Sequence, residues 1–256
     1  MRLEIRGLKF SYNDHVAIDS IDASFETGKA VGIVGPNGSG KTTLLKLIAG
    51  ILPASDGEIL LDGFIAGPGE LRKHVGYVFQ NPDNQIIGST VLEDVAFGLE
   101  NTGVPREKML ERIRWALEKV EMWELRERNP STLSGGQKQR LAVASMLAVS
   151  PTFLALDEPT SMLDMKGREE VLVVLKKLKA EGHGIIIATH DVYEMLLCDE
   201  ILVLDGGKVR FHVTLGSGWS RELARYLPES FEIKIADFCG VNPLNLRELI
   251  HVGDFT

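Results

Sequence analysis

Hydrophobic and polar positions alternate at the start of the chain. Leu3 and Ile5 and then, after a change of frame at Gly7, Leu8, Phe10 and Tyr12 take every second place. Alternation with a single slip predicts a bulged antiparallel strand. Ile21, Ala23 and Phe25 keep the two-residue period and predict a second such strand. At residues 30–34 the pattern becomes a continuous apolar run, as a strand buried on both faces requires. A glycine-rich turn follows, then a helix over 41–49. Runs at 75–79, 153–156, 185–188 and 201–204 share the buried character, and amphipathic helices separate several of them. Buried strands alternating with helices predict an α/β fold with a mainly parallel sheet, preceded here by an antiparallel β region.

The stretch 81–150 offers helices and almost no strand. Met109, Ile113, Leu117 and Val120 recur at helical spacing, a stripe that packs against a core. The expectation is a helical subdomain inserted between two strands of the sheet. After Val213 the composition changes again, with Leu223, Tyr226 and Leu227 on one expected helix and Leu246, Leu249 and Ile250 on another. The chain therefore divides into a main domain, 1–213, and a C-terminal extension, 214–256, too short to hold a large core alone.

Charge narrows the function. The 256 residues carry 28 Lys+Arg against 36 Asp+Glu, a formal net charge of -8, so there is no global basic footprint for nucleic acid. The longest apolar stretches, such as 141–149, fall short of the roughly 18 residues of a membrane-spanning helix. Met1 leads directly into alternating strand residues, with no signal-peptide pattern. Cys198 and Cys239 form neither a disulfide framework nor a metal pattern, in keeping with a reducing cytoplasm.

Gly35-Pro36-Asn37-Gly38-Ser39-Gly40-Lys41-Thr42 fits G-x-x-x-x-G-K-[ST], directly after a buried strand and at the start of a helix. Glycines let such a loop turn its N–H groups onto phosphate oxygens, and the helix N-terminus adds positive potential. Lys41 is expected to reach the β- and γ-phosphates, Thr43 to follow within the binding segment, and the Thr42 hydroxyl to bind Mg2+. A carboxylate for that ion is offered by 153–156 followed by Asp157 and Glu158. Adjacent strand residues point to opposite sides. On that reasoning Asp157 faces the ion's water shell, while Glu158 is free to polarise the water that attacks the γ-phosphate.

Leu133-Ser134-Gly135-Gly136-Gln137, continuing as Lys138-Gln139-Arg140, resembles the signature of the ATP-binding-cassette (ABC) ATPases. Ser134 and its glycines are expected to start a helix whose N-terminus is open to an anion. The resemblance implies that this end faces the γ-phosphate held by a second subunit, so that two ATP molecules join a head-to-tail dimer. It covers about residues 3–213 and implies further roles in order. Tyr12 takes the place of the aromatic stacked on adenine. Gln80 matches the glutamine that touches Mg2+ and senses the γ-phosphate. Asp164 in Ser161-Met162-Leu163-Asp164 resembles the D-loop, with Met162 where alanine is usual, and His190 matches the histidine that hydrogen-bonds the γ-phosphate. ATP and Mg2+ are the implied substrate and ion.

Residues 78–85 and 90–98 look like the ATPase subunits of energy-coupling factor importers and of related cobalt and nickel uptake systems. That likeness implies a second ATPase subunit, alike or sibling, a transmembrane coupling subunit, a substrate-binding membrane subunit and a place on the cytoplasmic face of the membrane. Vitamin or metal-ion uptake is the expected task. Other ABC importers or exporters, and nucleic-acid-associated ABC ATPases, are the alternatives. The latter typically add coiled coils, zinc modules or a second cassette, which 256 residues do not accommodate.

Overall fold

The computed structural model describes residues 1–214 and Tyr226. The expected helices of the extension fall outside these residues.

Two sheets organise the chain. The first is four-stranded and antiparallel, in the order β2-β1-β4-β5, from β1 (Arg2–Tyr12), β2 (His15–Glu26), β4 (Asp56–Leu61) and β5 (Phe64–Ile65). The frame change at Gly7 is a bulge: the β1–β2 register shifts between Ile5 and Leu8, and Gly7 has φ 55°. Leu3, Ile5, Leu8 and Phe10 consequently all face the core.

The second sheet has six strands in the order β10-β9-β3-β8-β7-β6: β3 (Ala30–Val34), β6 (Val75–Val78), β7 (Phe153–Asp157), β8 (Gly184–Ala188), β9 (Glu200–Asp205) and β10 (Lys208–Thr214). Only β10 runs antiparallel to its neighbour. Its strands alternate between two cores. Val31, Ile33, Ala155, Ile186 and Leu202 pack with the antiparallel sheet and helix α1 (Lys41–Ile48). Ala30, Val34, Leu154, Ile187 and Val203 pack on the opposite side with α3 (Val91–Asn101), α4 (Arg106–Lys119), α5 (Gly135–Ala148) and α6 (Met165–Ala180). Apolar side chains on both faces require cover on both faces, which is why these runs read as continuous hydrophobic segments.

Between β6 and β7 the chain forms only helices, α3 to α5 with short 3-10 turns. Ile113 and Leu117 of the expected stripe are fully packed in the core, and Met109 is at its edge. Residues 50–74 hold β4, β5 and a short helix α2 (Pro68–His74), elements absent from the expectations above. The overlooked signal is Asp62-Gly63, both at positive φ (47° and 85°), the turn that joins β4 to β5. Among the described residues no helix is long and apolar enough to cross a membrane.

Candidate active site

The phosphate loop links β3 to α1 at the C-terminal end of the parallel strands, where open α/β sheets bind ligands. Gly40 caps α1 at φ 104°, and no side chain caps this helix end. A Cβ at Gly40 would lie 2.6 Å from the Ala17 carbonyl oxygen, and one at Gly35 would lie 2.0 Å from that of Leu204. Glycine is therefore required at both places by space as well as by φ. Gly38, at φ 79°, is required by φ alone. The Ser39 side chain is buried and its Oγ has no hydrogen-bond partner. An uncapped helix N-terminus beside an orphaned hydroxyl is the local chemistry an anion satisfies.

Lys41 is buried, and its Nζ donates to the carbonyl oxygens of Gly35 (2.8 Å) and Pro36 (3.0 Å). Burial lowers its pKa, opposed by the nearby Glu158 and Asp157 carboxylates. A cavity of about 400 Å³ opens over the loop, lined by Asn37, Gly38, Gly40, Lys41, Thr42 and Thr43 of the loop and α1 and by Tyr12, His15 and Ala17 of β1 and β2. Glu158 also lines it. Tyr12 stands edge-on to Phe10 (centroids 4.8 Å apart) and is 45% exposed, so its free face is available to a flat ligand.

The Thr42 hydroxyl donates to Asp157 Oδ1 at 3.0 Å, and the Tyr77 hydroxyl donates to Asp157 Oδ2 at 2.9 Å. Burial raises the Asp157 pKa, while these two hydrogen bonds oppose the rise. Tyr77 is a site residue the sequence reading missed; it reads there as one more apolar position of a buried strand.

Glu158 corrects one step of that reading. It lies past the end of β7 with φ 44°, in the left-handed region, so strand alternation does not set its direction. Its N–H is held by the Ala188 carbonyl at 2.8 Å. The turned side chain places Oε1 3.1 Å from Nδ1 of His190 and Oε2 2.9 Å from Nε2 of Gln80. Gln80 also donates to Ser161 Oγ at 3.2 Å. Gln80 thus sits with the Glu158 and His190 pair.

The signature residues stand apart from this cavity, whose lining includes none of them. Ser134 caps α5 in a full capping box: its Oγ accepts from the Gln137 N–H (3.3 Å), and Gln137 Oε1 accepts from the Ser134 N–H (3.0 Å). Gly136 serves packing, since a Cβ there would come within 2.7 Å of Gly167 Cα at the start of α6. Gly135 is exposed and meets only the Leu163 side chain. Asp164 caps α6, its Oδ1 accepting from the Gly167 N–H at 2.8 Å, and Met162 beside it is 64% exposed. The fold thus gathers Tyr12, the loop, Asp157, Glu158, Gln80 and His190, and leaves 134–137 and Asp164 elsewhere.

Comparison with known proteins agrees with this architecture. Residues 18–161 match the family described as ABC transporter. The chain is 52% identical over 211 residues to the energy-coupling factor transporter ATP-binding protein EcfA1 of Thermotoga maritima, covering 82% of this chain and 81% of that one. Among solved structures it is similar to CbiO1 of Clostridium perfringens, part of the ABC transporter complex cbiONQ, at 33% identity and a TM-score of 0.79 over 93% of this chain and 98% of that one. It is also similar to the ATP-binding cassette MJ0796, a dimer in a post-hydrolysis state bound to ADP and Pi, at 30% identity and a TM-score of 0.72, covering 85% of this chain and all (100%) of that one. With its buried parallel strands, glycine-cradled helix N-terminus and paired acids at one strand end, the chain belongs to the ABC transporter family as one of its ATP-binding ATPase cassettes.

Proposed function

We propose that the chain is the ATP-hydrolysing subunit of an importer of the energy-coupling factor type, working at the cytoplasmic face of a membrane. One observation carries the hydrolytic part: Glu158, a lining residue of the cavity over the phosphate loop, is held between His190 and Gln80. The named relatives support the importer part, and vitamin or metal-ion uptake is the task that fits it.

On this reading Tyr12 stacks on adenine, and the N–H groups of the loop and of the first turn of α1 bind the phosphates. Lys41 exchanges its two carbonyl partners for β- and γ-phosphate oxygens. Thr42 Oγ1 and an Asp157 carboxylate oxygen, 3.0 Å apart, are hard oxygen donors that suit Mg2+ sharing its shell with phosphates. Among the described residues no cluster of three or more His, Cys, Asp or Glu side chains suggests a different kind of metal site. When bound, the ion neutralises charge on the phosphate oxygens.

Glu158 orients the attacking water and accepts its hydrogen bond, and His190 donates to the γ-phosphate. Gln80, bonded to Glu158 and standing ahead of the helical insert, relays the state of the site to α3 and its neighbours. The signature 134–137 and Asp164 complete the cavity of a second ATPase subunit, the same chain or a sibling. A transmembrane coupling subunit, and through it a substrate-binding membrane subunit, takes up the resulting movement.

The test is Glu158→Gln. Turnover is expected to fall by about three orders of magnitude, within the range spanned by general-base and electrostatic contributions, while ATP-dependent dimers persist in gel filtration. Wild-type turnover in that variant would refute the assignment.

A further inference from the structure

Glu194 is the most deeply buried carboxylate among the described residues, 1% exposed, and the hydrolytic scheme above does not use it. It lies on the short helix α7 (Val192–Met195), separated from His190 only by its N-cap Asp191. Its Oε1 accepts two hydrogen bonds from a single residue, Thr160: one from the backbone N–H at 2.9 Å and one from the hydroxyl at 2.5 Å. Thr160 is itself fully buried and lies two residues beyond Glu158, in the turn that carries the acid away from β7. Oε2 makes no hydrogen bond of regular geometry, and the Thr189 hydroxyl is a further polar neighbour of the carboxyl group.

A carboxyl group buried this deeply is costly to keep unless its bound oxygen does something an apolar residue cannot. Here that oxygen ties the segment after Glu158 to the segment after His190. The two segments leave adjacent strands, β7 and β8, and their functional side chains meet at 3.1 Å. Glu158 also occupies a left-handed backbone conformation, which persists only where its surroundings over-determine it. The Ala188 carbonyl holds the front of the turn through the Glu158 N–H, and Glu194 holds the rear through Thr160. The start of α7 is fixed in turn by Asp191, whose Oδ1 accepts from the Tyr193 N–H and whose Oδ2 pairs with Arg168 at 2.7 Å.

We propose that Glu194 is a positioning residue for ATP hydrolysis: through Thr160 it clamps the turn bearing Glu158 against the helix following His190, fixing the spacing of the two groups. The proposal rests on the hydrolytic reading above, and the experiment separates the two. Wild-type chain and Glu158→Gln are assayed first. Turnover by the former and its loss in the latter establish the reading without reference to Glu194.

Glu194→Ala is then expected to lower kcat roughly ten- to a hundredfold, as misplacement of a reacting group by about 1 Å does, with the ATP concentration at half-saturation nearly unchanged. Glu194→Gln keeps the acceptor oxygen and is expected to retain kcat within about threefold. In the Glu158→Gln background, Glu194→Ala should cause no further loss. Ser145→Ala removes a buried hydrogen bond to Asp94 far from this turn and serves as the control. It should lower the melting temperature and leave kcat of the folded fraction unchanged. If Glu194→Ala does not fold, Thr160→Val replaces it and should lower kcat severalfold. The proposal is overturned if folded Glu194→Ala, or Thr160→Val in its place, turns over at the wild-type kcat. Additive losses with Glu158→Gln would overturn it too, as would failure of Glu194→Gln to rescue.

Discussion

Two helix N-termini in this chain are closed in opposite ways. At α1 the cap is Gly40, no side chain closes the first turn, no acid lies in it, and the neighbouring Ser39 hydroxyl lacks a partner. At α5 the cap is Ser134, and a capping box with Gln137 occupies the N–H groups of Ser134 and Gln137 while those of Gly135 and Gly136 stay free of side-chain caps. The first helix end needs its ligand in order to be satisfied. The second carries its own side-chain cap, and beside it Gly136 leaves no room for a Cβ against Gly167 on α6. The first end is left to an external anion, whereas the second is closed in part by its own side chains.

The contrast can be broken most forcefully from the α1 side. Lys41→Ala removes a cation from a site with no side-chain cap and is expected to weaken ATP binding about a hundredfold, from loss of charge-assisted hydrogen bonds of roughly 1.5–3 kcal/mol. Titration with a fluorescent nucleotide measures it; unchanged affinity would mean that the loop amides alone hold the phosphates.

On the α5 side, two adjacent glycines should behave differently. Gly136→Ala forces a Cβ to within 2.7 Å of backbone at Gly167. Overpacking of this kind destabilises by about 1–3 kcal/mol, readable in a urea melt. Gly135→Ala meets only the movable Leu163 side chain and should leave the melt unchanged. Ser134→Ala opens the capping box and should cost about 1 kcal/mol of stability. It should leave nucleotide binding by isolated monomers intact while weakening ATP-dependent dimers in gel filtration. Loss of monomer binding would mean that α5 contributes to its own chain's site.

The smallest expected effect is a pH dependence remote from both helix ends. His183 precedes β8 at the N-terminal edge of the sheet, with Nδ1 3.1 Å from the Pro151 carbonyl oxygen. Burial lowers its pKa below the usual 6.5. The folded state then binds fewer protons than the unfolded one, so stability present above pH 6.5 declines as pH falls through that value towards the depressed one. Urea midpoints taken at successive pH values should show this decline, and His183→Phe should flatten it, with nucleotide affinity unchanged in both proteins.

The parallel sheet and its phosphate loop were legible because local chemistry specifies them: unbroken apolar runs demand cover on both faces, and glycines at 35, 38 and 40 serve a loop with unusual φ. The hairpin of β4 and β5 escaped notice because Leu60 and Leu61 are adjacent and blur the two-residue period, although Asp62-Gly63 marked the turn. The direction of Glu158 was legible only in part. Its identity and its place after an apolar strand could be read from the chain, but its left-handed backbone depends on the Ala188 carbonyl, thirty residues away in sequence. Tyr77 and Glu194 gave no signal, since each is a lone polar group in an apolar setting and its partner lies on a distant segment.

By itself the sequence determined which residues form the phosphate loop, which acids end β7 and which serine starts α5, because those are properties of short stretches of chain. Only the tertiary structure decided that Gln80 and His190 converge on Glu158, that Tyr77 braces Asp157, that Glu194 ties down Thr160 and that 134–137 lie outside the cavity of their own chain. The reason is that each of these depends on the order and register of strands, which non-local packing sets and no local pattern encodes.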